Sequence, residues 1–418
     1  MDKTLGLLLA GGAGSRLGVL ASLRAKPAVP FGGIYRIIDF ALSNAANSEV
    51  NWLGVLTQYK PLALMEHIGD GKAWGFIGRS RGVKILPPRT GEKDSDWYKG
   101  TADAVRQNLD FIQQYNFCDT LLILSGDHIY NMDYSEMIEY HRSRGADVTI
   151  ATMEVPLEDA RHFGIANVDA ENRIVAWEEK PKHPKSRLAS MGIYAFSIDF
   201  LLRAFAEVDG VDFGQHIVPY ACRSAATYAY PFHGYWRDVG TVKAYWRANL
   251  DMLNPAESGL MPENWKIYTN IDDELRFGDY PPTFVGQNAM IRNSIVSQGC
   301  VIEGEVVDSV LSPGVHIAEG ARVQNSVLMH NCHLEMGSCV DRIVADKNVT
   351  IGEGSLIGVG ESTAPNEQHP SLLEEGLNLI GKGANVPAGF EIGRHCIIKP
   401  FANFASFNGK KVSNGVTI

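Results

Sequence analysis

The chain has little of what marks a secreted, membrane-spanning or nucleic-acid-coating protein. Its six cysteines, Cys118, Cys222, Cys300, Cys332, Cys339 and Cys396, are scattered over 418 residues. None forms a Cys-x-x-Cys pair, which argues against a zinc ribbon and a disulfide framework and points to a reducing, cytoplasmic setting. No stretch approaches the about eighteen uninterrupted apolar residues of a membrane-spanning helix, and the apolar run at 5–9 is too short for a signal core. Positive charge is also in deficit: 38 Lys plus Arg stand against 48 Asp plus Glu, a net charge of −10. A surface that wraps DNA or RNA is therefore not expected, and an anionic ligand must be held by a few basic residues in a cleft.

What is present divides the chain in two. A length of 418 residues, with 45% hydrophobic and 21% charged, exceeds what one core usually organises. Up to about residue 250, short apolar runs (5–9, 53–56, 121–124, 148–153, 191–196) alternate with helical spacing such as 102–115 and 134–144. That alternation predicts an α/β domain with a mostly parallel sheet, whose ligands gather at the carboxyl ends of the strands. Prolines 255, 262, 281 and 282 then interrupt the pattern, and the boundaries are drawn at 1–255, a linker at 256–282, and a second domain at 283–418. The second domain repeats a phrase: Asn293-Ser-Ile-Val, Asp308-Ser-Val-Leu, Asn325-Ser-Val-Leu and, more loosely, Asp341-Arg-Ile-Val. Small or apolar residues also recur every six, as at Val315, Ala321 and Val327. This describes a parallel β-helix of hexapeptide type, with 361–375 as an excursion; an antiparallel sandwich is the alternative the pattern leaves open.

Two segments come directly after strands and carry chemistry. Gly11-Gly12-Ala13-Gly14-Ser15-Arg16-Leu17 offers backbone amides to a phosphate. It is neither a P-loop, which needs a following Gly-Lys-Ser/Thr, nor a dinucleotide fingerprint, whose third glycine falls at Leu17. Arg16, Arg24 and Lys26 on one short segment would repel one another without an anion, although a solvated turn is the plainer reading. Asp127, in Leu124-Ser125-Gly126-Asp127-His128, is delivered to the same sheet edge. With Asp238, in Trp236-Arg237-Asp238-Val239-Gly240-Thr241, it makes a carboxylate pair suited to Mg²⁺, which takes few protein ligands. Either aspartate taken singly is as well explained as a helix cap. A third cluster, Trp177-Glu178-Glu179-Lys180 and Ser190-Met191-Gly192, suits a phosphorylated sugar or a solvated strand end. Tyr98, before Lys99-Gly100-Thr101, suits a base, a sugar or a helix start. His330 and His333 lie among turns with no further ligand cluster and read as turn residues rather than a metal site.

These elements in this order resemble the nucleoside-diphosphate-sugar pyrophosphorylases. More narrowly, Arg36-Ile-Ile-Asp-Phe-Ala-Leu-Ser-Asn44, Trp97-Tyr-Lys-Gly-Thr-Ala-Asp-Ala104, Gly126-Asp-His-Ile-Tyr130 and Tyr235-Trp-Arg-Asp-Val-Gly-Thr241 resemble the glucose-1-phosphate adenylyltransferases over nearly the whole chain. The resemblance implies a Rossmann-like nucleotidyltransferase domain joined to a C-terminal left-handed parallel β-helix. It also implies conversion of ATP and glucose 1-phosphate to ADP-glucose and pyrophosphate, in glycogen or starch-like glucan synthesis.

By that resemblance Arg16 and Lys26 neutralise the triphosphate, and Asp127 and Asp238 hold Mg²⁺. Gly11, Gly12, Gly14, Gln58, Gly100 and Thr101 line the nucleotide pocket, while Tyr98, Gly164, Glu179, Lys180 and Ser190 bind glucose 1-phosphate. Arg24 and Arg36 correspond to positions that hold allosteric effectors, and a homotetramer is implied. One departure stands out: Leu23 occupies the place of a lysine found in members activated by sugar bisphosphates, and Pro30 that of a histidine. Weak or absent activation by fructose 1,6-bisphosphate is expected. The sugar phosphate is already an anionic nucleophile, so the reaction needs alignment and charge neutralisation rather than a general base, and inversion at phosphorus in one in-line step is expected. The rival readings are a pyrophosphorylase for another nucleotide or sugar, and a regulatory subunit that binds nucleotide without catalysis.

Overall fold

The computed structural model describes residues 1, 3–88, 97–261, 264–270, 280–361 and 364–418. Its first apolar run is buried because a parallel neighbour covers each edge. Thr4–Leu9 pairs with Trp52–Leu56 on one side and Thr120–Ser125 on the other, with Leu9 opposite both Leu56 and Ser125. That register matters more than the pairing itself. All three strands end level, so the residues just beyond them, Gly11, Gln58 and Asp127, emerge at one sheet edge.

The sheet has nine strands and is mixed. Gly82–Leu86 extends the parallel block beyond Trp52–Leu56. On the far side Leu188–Ser197 runs antiparallel to Thr120–Ser125, and from it the sheet branches to Val148–Glu154 and to Gly164–Val168. The helical stretch foreseen at 102–115 is two short helices, Thr101–Arg106 and Leu109–Gln114. The break has a local cause: the Asn108 side chain donates to the Ala104 carbonyl (2.8 Å) and to the Tyr98 hydroxyl (3.1 Å), and an asparagine that bonds backbone competes with the helix ladder. The foreseen helix at 134–144 forms over Tyr134–Ser143, capped by Asp133. Among the described residues no helix is long and apolar enough to cross a membrane.

From Phe284 onward short parallel strands stack into three sheets, the faces of a prism. This is the hexapeptide β-helix, and the recurring phrase marks one of its corners. Asn293, Asp308, Asn325 and Arg342 each adopt a left-handed backbone. Because Val327 pairs with Val344, the fourth phrase is in register from Arg342, one residue later than the sequence match placed it. The serines explain why the phrase recurs: Ser294, Ser309 and Ser326 each accept an amide of the next coil, at 3.2, 3.1 and 3.1 Å. The six-residue phase also slips at this corner. Val315 and Ala321 lie inside the prism, whereas Val327 leaves it for a second core.

That second core joins the domains. Val310, Val327, Val344, Leu379 and Ile397 on one prism face pack with Leu17, Leu20, Phe31, Tyr245 and Trp246 of the α/β domain. Trp265, Lys266 and Tyr268, between the domains, are docked as well. The helix Ile38–Asn47 clasps them: Ser43 accepts the Tyr268 amide (2.8 Å), Asn44 accepts Trp265 Nε1 (2.7 Å), and Asn47 donates to the Lys266 carbonyl (2.9 Å). Ser43 and Asn44 of the Asp39-Phe-Ala-Leu-Ser-Asn44 phrase therefore serve the interdomain segment, while Asp39 accepts the Arg36 amide (2.9 Å) and meets His67 Nε2 (2.5 Å).

Candidate functional site

Asp238 reaches Asp127 through a two-stranded ladder. Trp236–Asp238 runs antiparallel to His128–Tyr130 with Asp238 opposite His128, which sets the two carboxylates side by side. Neither is a helix cap. Asp127 occupies the turn between two strands, and the helix Val242–Asp251 is capped by Thr241, whose hydroxyl accepts the Ala244 amide (3.1 Å). Freed from that duty, both carboxylates face Lys26, whose Nζ lies 2.9 Å from Asp127 Oδ2 and 3.2 Å from Asp238 Oδ1.

Burial opposes the Lys26 charge, but the two carboxylates outweigh it and hold its pKa above the ordinary lysine value. Burial likewise opposes the Asp127 charge. Lys26, His128 and a 2.5 Å hydrogen bond from Ser125 overcome it and hold Asp127 well below the usual carboxylate range. Asp127, His128 and Asp238 place ligand atoms within 4.8 Å of one another, a group able to hold a metal ion. Its two hard carboxylates and open side match the few-ligand habit of Mg²⁺, with Lys26 offsetting part of the acidic charge.

Two clefts meet at this centre. The first, of about 320 Å³, is lined by Gly11, Gly12, Lys26, Gln58, Tyr98, Gly100, Thr101 and Asp127. The second, of about 440 Å³, holds Arg16, His128, Gly164, Glu179, Lys180, Ser190 and Asp238; Leu9, Thr101 and Ser125 belong to both. The glycine loop is thus divided between them. Gly14 lines neither cleft: with φ 64 it turns the chain so tightly that a Cβ there would stand 2.9 Å from Lys26 Cβ, and its role is to let the loop pack on that lysine. Tyr98, assigned to the sugar phosphate by resemblance, stands in the first cleft with Gln58, whose amide donates to the Tyr98 carbonyl (3.3 Å).

The segment 211–214 supports Thr101, which lines both clefts, and lines the second through Asp212 and Gly214. The Val211 carbonyl accepts the amides of Ala102 (2.9 Å) and Asp103 (3.0 Å), so these first donors of the Thr101–Arg106 helix are spent on protein, not left for phosphate. A Cβ on Gly100 would collide with that carbonyl. Thr101 donates to Asp212 (3.1 Å) and accepts the Phe213 amide (3.1 Å). Beyond it, Gly164 and Gly214 lack the Cβ atoms that would strike Trp177 and Glu179. Burial pushes the Glu179 carboxyl up, against the pull of Lys180 and with help from Asp212.

Arg24 and Arg36 are not at this centre. They line a third cleft, of about 500 Å³, together with Leu23, Lys60, Met65, Glu66 and, from the β-helix, Lys347 and Lys382. Arg24 Nη2 is 2.9 Å from both oxygens of the fully buried Asp346, while its Nη1 has no partner among the described residues. Arg36 donates to the Ala28 carbonyl (3.1 Å).

Sequence reasoning missed Asp212, Gly214, His128 and Arg161 in the second cleft and Lys347 and Lys382 in the third. A signal existed for the first two: Gly210-Val-Asp-Phe-Gly214 is an aspartate bracketed by glycines. None existed for Lys347 and Lys382, because only the docking of the prism brings them to Arg24.

A Nucleotidyl transferase family model matches residues 5–255, and a GlmU-like, C-terminal hexapeptide model matches 281–380. Proteins named glucose-1-phosphate adenylyltransferase align end to end. That of Fervidobacterium nodosum is 45% identical over 95% of both chains. That of Acetivibrio thermocellus is 41% identical over 100% of this chain and 97% of its own. That of Clostridium perfringens is 47% identical over 89% of this chain and 98% of its own. With two clefts converging on a lysine held between two aspartates, this chain belongs to the glucose-1-phosphate adenylyltransferase family of nucleotidyltransferases.

Proposed function

We propose that the chain transfers the adenylyl group of ATP to glucose 1-phosphate, releasing pyrophosphate and forming ADP-glucose for glucan synthesis. The observation that carries this is Lys26, clamped between Asp127 and Asp238 where the two clefts meet. In this reading ATP occupies the first cleft, with Gly11 and Gly12 against its phosphates and Gln58, Tyr98, Gly100 and Thr101 around the nucleoside. Glucose 1-phosphate occupies the second, with Glu179 accepting from sugar hydroxyls and Lys180 and Ser190 beside it. Arg16, which lines the second cleft beside Asp238, neutralises the transferring phosphoryl group together with Lys26. Asp127 and Asp238 hold Mg²⁺, which draws charge from the phosphoryl oxygens when bound. The protein aligns the sugar phosphate oxygen with the α-phosphorus, and no base is required.

Pyrophosphate release by the purified chain, measured with ATP, UTP, dTTP and GTP with and without Mg²⁺, tests the reading. Turnover with ATP and glucose 1-phosphate alone, lost on Asp127→Asn or Asp238→Asn, is expected. Preference for another nucleotide, or binding without turnover, would replace it with one of the two rivals.

The third cleft favours a second site on the same enzyme. Arg24, Arg36, Lys60, Lys347 and Lys382 line it with Glu66, and Asp346 pairs with Arg24 from below; the positive charge left over suits a phosphorylated effector. Assembly as a homotetramer in the cytoplasm completes the reading, and light scattering of the purified chain checks the former.

A further inference from the structure

The segment Ser15–Ala21, which continues the glycine loop and carries Arg16, is not supported by its own domain alone. Inside it Gly18 has φ 56 and ψ −128, a kink between Leu17, which follows exposed Arg16, and Val19 and Leu20, all three buried at the domain seam. The surface this kink meets belongs to the β-helix. A Cβ on Gly18 would stand 2.9 Å from Leu372 Cδ2 and 3.1 Å from Leu379 Cδ2. Leu373 and Leu377, from the same stretch, share a core with Leu17 and Leu20. Just beyond Leu372 the contact continues onto the other catalytic flank. Lys243 Nζ is 2.7 Å from Glu374 and 3.2 Å from Glu375, and Arg247 pairs with Glu375. Both cations sit on the helix Val242–Asp251, capped by Thr241 three residues after Asp238.

We propose that Leu372 is a positioning residue for Arg16: the stretch 372–375 of the β-helix domain braces the two segments that carry Arg16 and Asp238. The inference rests on the reading of Arg16 as a group acting on the transferring phosphoryl. It assigns the second domain a part in catalysis distinct from binding an effector. Arg16 approaches the site from a single tight turn, and the other domain packs that turn laterally, Leu372 nearest to Gly18 and Leu379 beside it.

The test uses the full chain. In Leu372→Ala, amide exchange over 15–20 rises about tenfold while the strand Thr4–Leu9 and the prism strands keep their protection. kcat falls roughly tenfold and both KM values stay within about twofold, because alignment is lost rather than affinity. Leu372→Met, which refills the space, restores both. Should Leu372→Ala fail to fold, the pair Glu374→Gln/Glu375→Gln is the alternative, with a smaller exchange increase over 238–247 and a kcat about threefold down. Unchanged exchange over 15–20, or a loss of activity that tracks the folded fraction and is not rescued by methionine, overturns the proposal. If the wild-type chain releases no pyrophosphate, the parent reading fails, and the exchange arm still decides whether the brace exists.

Discussion

Lys26 and Arg24, two residues apart and both buried, each close an ion pair in a different cleft. Lys26 Nζ lies 2.9 Å from Asp127 at the catalytic centre, and Arg24 Nη2 lies 2.9 Å from Asp346 at the domain seam. The residue between them, Ala25, is extended and fully buried. One short segment thus links the reaction centre to the cationic third cleft.

Replacing Lys26 by Met leaves Asp127 and Asp238 without their fixed counter-charge. We expect kcat/KM to fall by about 10²–10³, the usual cost of removing one preorganised donor from a transition state. The half-saturating Mg²⁺ concentration should change with it, since metal and lysine share the same carboxylates. Steady-state assays across Mg²⁺ concentrations read both, and a variant within threefold of wild type would remove Lys26 from the mechanism.

Arg24→Ala strands the Asp346 carboxylate, which is fully buried. A loss of about 3–5 kcal/mol is expected from breaking such a pair. Removing the stranded partner as well, in Arg24→Ala/Asp346→Ala, should recover part of that loss. Urea unfolding of the two variants side by side checks the order, and a double variant less stable than the single one would contradict it.

Acid should weaken the fold through His141. Burial brings its pKa down from 6.5 to about 4, and its Nδ1 is 2.9 Å from Thr149 Oγ1. A depressed histidine binds fewer protons folded than unfolded, so its contribution is complete above about pH 6.5 and is lost as pH falls toward 4. The amount is roughly 3 kcal/mol over that window. Subtracting the pH profile of His141→Gln from that of wild type isolates it; identical slopes between pH 4 and 6.5 would refute the assignment.

Leu23 lies 44% exposed and lines the third cleft without offering a charge to a phosphate. Fructose 1,6-bisphosphate should therefore activate little, and Leu23→Lys should raise its effect several-fold by supplying a phosphate partner. Titrating the activator against both chains settles it, and strong activation of the wild type would show that Arg24, Arg36, Lys347 and Lys382 suffice.

Much of the candidate site's assembly could be read from the linear sequence because strand and chemistry-bearing loop are adjacent there. The apolar runs before Gly11 and Asp127 announce buried parallel strands, and parallel strands that end in register deliver their succeeding loops to one edge. The β-helix was legible for a similar reason, since each corner repeats its own local requirement. The Asn-Ser phrase encodes a left-handed residue and an amide acceptor at successive coils. Single residues whose role depends on a distant neighbour were not legible. Gly14 reads as a phosphate ligand until Lys26 Cβ is seen against it, and for Asp238 the helix-cap alternative stays open until Thr241 is seen to cap instead.

The sequence by itself determined the two-domain division, the strand-to-loop placement of Gly11 and Asp127 and the repeating prism, because each is written in short-range pattern, and the family through its resemblance. The tertiary structure alone decided that Leu188–Ser197 runs antiparallel, that Tyr98 faces the first cleft, that Val327 leaves the prism for the domain seam, and that Lys347 and Lys382 join Arg24. These depend on which surface of one domain meets which surface of the other, and burial of apolar area, which drives that docking, carries no directional signal along the chain.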